Sequence, residues 1–134
     1  MLKLLLFIVL TSFCLMQTSG RRIESRVEMY CDRSLIEKYN EGPSWCHRIQ
    51  LVEVDLVTDN DILNERSQSC WTTDYAVSSL AGDESTDEPG SKIGQIKIRV
   101  YTNCSIQWRH YDSLIHEVDL KRKDMIRIDE VFHF

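Results

Sequence analysis

Four kinds of side chain in this 134-residue sequence could carry chemistry: cysteines, histidines, clustered carboxylates and one asparagine in a modification motif. The cysteines are Cys14, Cys31, Cys46, Cys70 and Cys104. Zinc would want them in close pairs, but the gaps are long, no CxxC occurs, and His47 adjoins Cys46 rather than sitting at ligand spacing. No metal is therefore expected at these thiols. The four histidines, His47, His110, His116 and His133, lie far apart, and none sits in a recognisable catalytic setting. No GxSxG elbow offers a nucleophile to them. Asp55, Asp59 and Asp61 cluster around Asn60, but a calcium loop starting at Asp59 would need Gly sixth and Glu twelfth, where Asn64 and Cys70 stand. A solvated turn is the expectation. Asn103-Cys104-Ser105 is an N-x-[ST] sequon, so Asn103 is a candidate glycan acceptor.

Composition narrows the classes further. Hydrophobic residues make up 43% and charged residues 28%, with five Gly and two Pro, which is the balance of one folded domain. The formal charge of −5 and pI near 5.3 argue against binding through nucleic-acid phosphates. Neither GxGxxG nor GxxxxGK[ST] occurs, so a nucleotide cofactor is not expected, and no other cofactor is implied.

Residues 1–20 read as a secretory signal peptide. Lys3 supplies the positive start, Leu4–Leu10 an unbroken apolar run, and Thr18-Ser19-Gly20 the small residues of a cleavage site. The run is short of the roughly 20 apolar residues of a membrane span, which leaves a signal anchor as the lesser alternative. Cleavage after Gly20 would leave residues 21–134, with 15 basic and 21 acidic residues and a charge of −6. Loss of Cys14 leaves four cysteines, expected to form two disulfides in an oxidising compartment; three pairings are open. The chain is therefore expected to be secreted and extracellular, without a membrane span.

The elements that must position these groups are β-strands. Arg26–Tyr30 alternates, with Val27 and Met29 on one face. Arg48–Asp55 carries Ile49 and Leu51, then Val52 and Val54 on the opposite parity, the mark of a bulge or a doubly buried strand. Glu65–Thr73 is mostly polar with Trp71 near its end, Tyr75–Leu80 is a short apolar-polar mix, and Leu114–Leu120 and Met125–Val131 finish the set, with Ile126 and Ile128 alternating with Arg127 and Asp129 in the last. Ile96–Tyr101 is the clearest case: Ile96, Ile98 and Val100 face one way, Lys97, Arg99 and Tyr101 the other. Ser34–Tyr39 can form a helical turn or two. Thr58–Asp61 and Gly82–Gly90 read as loops, and Lys121–Asp124 as a hairpin joining the last two strands. About seven short strands at this spacing predict an all-β fold, a sandwich or a small barrel. Loops at sandwich ends often carry recognition. Two candidates result: the acidic run with Asp83, Glu84, Asp87 and Glu88, and the segment Gln107–Tyr111 with Trp108, Arg109 and Tyr111.

The order of features resembles the nematode transthyretin-like family of secreted proteins, as a divergent member. The first strand ends Tyr30-Cys31; Val52-Glu53-Val54-Asp55 leads into Asp59-Asn60-Asp61-Ile62-Leu63-Asn64-Glu65. Thr73-Asp74 and Leu80-Ala81-Gly82 come next, and Arg99-Val100-Tyr101-Thr102-Asn103-Cys104 closes the set. The resemblance spans most of residues 26–131. It implies a transthyretin-like sandwich in which Cys31 pairs with Cys104, leaving Cys46 to pair with Cys70. It also implies an extracellular binding role rather than an enzyme. Some members bridge an extracellular ligand, such as exposed lipid on dying cells, to a cell surface, so the expected partner is an extracellular protein or lipid. The oligomeric state stays open. The main alternative is a secreted effector or inhibitor that binds a host protein through the two loop segments. A hydrolase on the same scaffold is the lesser one: such enzymes end Tyr-Arg-Gly-Ser, whereas this chain ends Val131-Phe132-His133-Phe134.

Overall fold

The structure is a computed structural model and describes residues 21–39, 42, 44–55, 59–84, 93–105, 107–119 and 124–134. The expected signal peptide lies outside the described residues, as do Asp87, Glu88 and residues 121–123 of the expected hairpin. Strand alternation begins at the first described residue. In β1 (Arg21–Tyr30), Ile23, Ser25, Val27 and Met29 are buried and Arg22, Arg26 and Tyr30 are exposed. Ser25 tolerates burial because its hydroxyl donates to the Leu80 carbonyl at 2.8 Å. A short helix, α1 (Arg33–Tyr39), follows. Asp32 caps it, its carboxylate accepting from the Ser34 N–H and hydroxyl, which hold that carboxyl below its usual range. Ile36 anchors the helix in the core.

The remaining strands are β2 (Trp45–Glu53), β3 (Asp61–Trp71), β4 (Tyr75–Glu84), β5 (Ile93–Thr102), β6 (Arg109–Asp112), β7 (His116–Asp119) and β8 (Ile126–His133). They form two sheets. One has the order β4-β1-β8, with β1 antiparallel to β4 and parallel to β8. The other has the order β3-β2-β5-β6, with β7 pairing β5 beyond β6. Ile23, Val27 and Ile128 from the first sheet and Ile49, Leu51, Ile98 and Val100 from the second share one apolar cluster. Over the described residues the protein is thus an all-β, sandwich-like pair of sheets with one short helix.

Several boundaries differ from the sequence reading. The parity slip in β2 is a register shift between Leu51 and Val52, and Ile49 through Val52 are all buried. A second shift lies between His47 and Ile49. β3 starts at Asp61 rather than Glu65, because Glu53 of β2 pairs with Asp61. Gly82 and Asp83, read as loop, lie in β4 together with Glu84, since Arg21 and Arg22 extend β1 to pair with Glu84 and Asp83. Gly82 serves close packing there: a Cβ would meet Leu51 Cδ2 at 3.1 Å and Leu63 Cβ at 3.2 Å. The hairpin expected at Lys121–Asp124 is replaced by a crossover, because β7 pairs β5 and β8 pairs β1. Alternation assigns an inward face to Val118 and to Ile128, but a shared core is lined by both sheets and parity does not say which sheet owns a strand.

Candidate functional site

One end of the sandwich concentrates the sulfur chemistry. Cys31 follows β1 and bonds Cys104, which follows β5; both are buried, with Cα atoms 5.8 Å apart. Cys46 of β2 bonds its direct cross-strand neighbour Cys70 of β3, with Cα atoms 4.0 Å apart, and Cys70 is exposed. Backbone and side-chain hydrogen bonds tie the two bridges together. Thr102 Oγ1 donates to the Cys46 carbonyl at 2.9 Å and accepts from the Cys104 N–H at 3.1 Å. Asn103 Oδ1 accepts from the Cys46 N–H at 2.7 Å, so the sequon asparagine is half-buried and already engaged.

From this end the outer face of the five-stranded sheet runs back as a polar and aromatic surface. The alternation of Lys97, Arg99 and Tyr101 on β5 sets it up, and the β6 register places His110 against Tyr101 and Asp112 against Arg99. The Arg48 guanidinium of β2 lies 4.6 Å over the Tyr101 ring and pairs with Glu65 of β3 at 2.9 Å. The His110 ring sits 5.8 Å from Tyr101 on the other side. Asp112 accepts from Arg99 Nε at 2.7 Å, from Arg99 Nη2 at 2.9 Å and from Lys97 Nζ at 2.8 Å. The Arg99 hydrogen bonds, aided by Lys97, hold the Asp112 carboxyl far below the usual carboxylate range, and Asp112 raises Arg99 in turn. These charges are spent on one another, which rigidifies the face. Trp108, just before β6, is 49% exposed, His110 is exposed as well, and Ile93, on the outward parity of β5, is 56% exposed.

The expected Gln107–Tyr111 loop is therefore split. Trp108 stays outside a strand, whereas Arg109 opens β6 and Tyr111 turns inward, its ring 4.9 Å from that of Phe134. Pairing with β5 imposes the alternation that sends Tyr111 to the opposite face from His110. Trp45 is fully buried and donates from Nε1 to the Thr73 carbonyl at 2.7 Å, while Trp71 is half-buried. Arg48 and Tyr101 lacked any motif; only the outward parity of β5 pointed to this face.

The histidines do not converge. His47 is 1% exposed, its ring centroid 5.7 Å from that of Trp45 and 6.4 Å from that of Trp71, with Nε2 3.3 Å from Ser78 Oγ. Burial, reinforced by Arg66, pushes its imidazole down to about 4. Ser78 is buried as well, so this Ser–His contact is packed inside the core rather than open to a substrate. His116 contacts Glu130, and His133 stacks on Tyr30 at 4.8 Å. Asn60 Oδ1 accepts from the Asp55 N–H, and among the described residues no three metal-capable side chains come together.

Asp83 belongs to a separate open groove of about 710 Å³ between β3 and β4, lined also by Arg22, Glu65 and Arg66. Arg66 Nη1 donates to the Ser79 carbonyl at 2.8 Å and Asn64 Nδ2 to the Ala81 carbonyl at 2.6 Å, so β3 side chains cap the free edge of β4. Among the described residues no helix is long and apolar enough to cross a membrane. Comparison with protein-family models, with curated proteins and with solved structures returned no match.

Proposed function

We propose that this chain is an exported binding protein, a divergent relative of the transthyretin-like family, that recognises an extracellular protein or lipid through the outer face of its five-stranded sheet. The observation that carries the reading is Trp108, 49% exposed just before β6, the strand that presents His110 on a face where Arg99, Lys97 and Asp112, and Arg48 and Glu65, are already paired. A large aromatic held open on a rigid polar surface is the usual anchor of a recognition site. Two supports come from the sulfur chemistry. Two disulfides suit an oxidising, extracellular compartment. Their connectivity is the one that the family resemblance implies, and the two-sheet all-β body agrees with its fold class.

The test uses the mature chain with both bridges intact, alongside a Trp108→Ala/His110→Ala variant. Each is immobilised and exposed to extracellular fluid, and separately to phosphatidylcholine vesicles with and without phosphatidylserine. The reading expects one of these arms to give stoichiometric retention, with affinity at least about tenfold lower for the variant. Equal binding by both proteins, or binding in no arm, overturns the assignment of this face.

A further inference from the structure

The three-stranded sheet ends in a row of aromatic rings. Tyr30, the last residue of β1, is the direct cross-strand partner of Tyr75 on β4 and of His133 on β8. Because β1 is the middle strand, these partners flank Tyr30 from opposite sides. The Tyr30 and Tyr75 ring centroids are 4.8 Å apart with 44° between the planes, a contact distance for aromatic pairs. The His133 ring stacks on Tyr30 at 4.8 Å and 10°. Backbone bonds hold both flanks: the Cys31 N–H donates to the Asp74 carbonyl at 2.9 Å, and the Phe134 N–H to the Tyr30 carbonyl at 3.0 Å. The row stays open to small reagents, with Tyr30 39% exposed and Tyr75 half-buried. The Tyr75 hydroxyl donates to Glu28 Oε1 at 2.7 Å, and Arg26 holds that carboxylate at 3.1 Å. This hydrogen bond raises the Tyr75 phenol above its usual range and gives its proton a waiting acceptor. Tyr101 and Tyr111 instead pack against His110 and Phe134.

We infer that Tyr30 and Tyr75 form a site of oxidative modification, joined within one chain as a dityrosine by a haem peroxidase acting with hydrogen peroxide. Each tyrosine gives up one electron and its phenolic proton; the Tyr75 proton passes to Glu28, the Tyr30 proton to solvent. The unpaired electrons spread onto the ring carbons next to the oxygens, and one such carbon of each ring joins the other in a new C–C bond. Each bonded carbon then releases its hydrogen while a proton returns to each oxygen, which restores two aromatic phenols. The chain loses two hydrogens in all, and the peroxide takes up two electrons and two protons to leave two waters. Rings already held in contact make the coupling unimolecular, so it outruns coupling between chains at ordinary protein concentrations. The bond would also fill a gap in the covalent frame. The four disulfide cysteines lie after β1, after β5, in β2 and in β3, so no sulfur bridge reaches β4. A Tyr30–Tyr75 bond ties that edge strand to β1 next to Cys31, and thiols cannot reverse it. This site lies on the other sheet from the proposed recognition face and does not depend on it.

The experiment treats the disulfide-intact mature chain with a haem peroxidase and hydrogen peroxide over a range of protein concentrations. The monomer should gain dityrosine fluorescence and lose the mass of two hydrogens, at a rate per chain that does not change with protein concentration. Reduction and proteolysis should then yield the Tyr30 peptide joined to the Tyr75 peptide. Tyr30→Phe and Tyr75→Phe should each abolish the linked monomer, whereas Tyr111→Phe should leave it intact. Each substitution keeps the ring, so folding should be retained, and far-UV circular dichroism checks it. Glu28→Gln replaces the proton acceptor by a far weaker base and should slow the cross-link roughly tenfold. A chain that stays unmodified, a bond mapped to another pair, linked oligomers in place of a linked monomer, or a link that persists in either Tyr→Phe variant at position 30 or 75 overturns the inference. Glu28→Gln reacting at the wild-type rate overturns the role given to that carboxylate.

Discussion

The two disulfides lie at the same end of the molecule, yet they hold it in different ways. Cys31–Cys104 is buried and joins segments 73 residues apart, closing the end of β1 onto the end of β5 and so one sheet onto the other. Cys46–Cys70 spans 24 residues and clamps two strands that are already hydrogen-bonded neighbours, with one sulfur-bearing residue at the surface. The first creates a long-range constraint that no single strand pair supplies. The second reinforces a pair flanked by the β2 register shifts. A bridge is therefore worth more where the backbone ladder offers no alternative link.

Deleting each bridge is the strongest test of that contrast. Replacing Cys31 and Cys104 by Ala should cost about 4 kcal/mol, and replacing Cys46 and Cys70 about 3 kcal/mol, from loop closure alone. The buried pair should lose more still, because its removal leaves a cavity. Urea unfolding of both double variants measures the order; equal losses would break the comparison. The next effect is pH dependence at the surface bridge. Burial holds the folded His47 imidazole near 4, against 6.5 in the unfolded chain. Above 6.5 both states are neutral. Between 6.5 and 4 only the unfolded chain takes up the proton, so stability should fall across that window by roughly 2–3 kcal/mol and then level off. His47→Leu should flatten this fall; a variant that keeps it would place the titration elsewhere. The smallest effect concerns the link between the bridges. Thr102→Val removes the hydroxyl that serves both Cys46 and Cys104 and should cost about 1–2 kcal/mol. The same substitution in the Cys46/Cys70-deleted background should cost less if Thr102 couples the two bridges, which a double-mutant cycle measures.

Much of this architecture was legible from local pattern. Ile96, Ile98 and Val100 declared the core face of β5, and the Ile49–Leu51 to Val52–Val54 slip announced a bulge in β2. The helix at Arg33–Tyr39 could be placed from Leu35, Ile36 and Tyr39. What escaped had nonlocal causes. Ile23 lies in a stretch whose alternation is broken by Ser25, and Ser25 is inward only because Leu80 of a neighbouring strand offers a carbonyl. Gly82 looked like a turn residue because close approach to Leu51 and Leu63 leaves no trace in the adjacent sequence. The candidate face was half visible: Trp108 stood out in the Gln107–Tyr111 segment, whereas Arg48, Tyr101 and His110 come together only through the alignment of β2, β5 and β6.

The amino-acid order by itself determined an all-β chain, which residues of the clearest strands face inward, and an even set of cysteines in the expected mature chain. Those properties depend on residue type and a period of two, which neighbours along the chain reveal. The tertiary structure alone decided that β8 lies parallel to β1 rather than beside β7, and that Tyr111 is packed while His110 is open. Sheet membership is set by contacts between segments distant in sequence, and many pairings satisfy the same alternating stripe until one shared core selects among them.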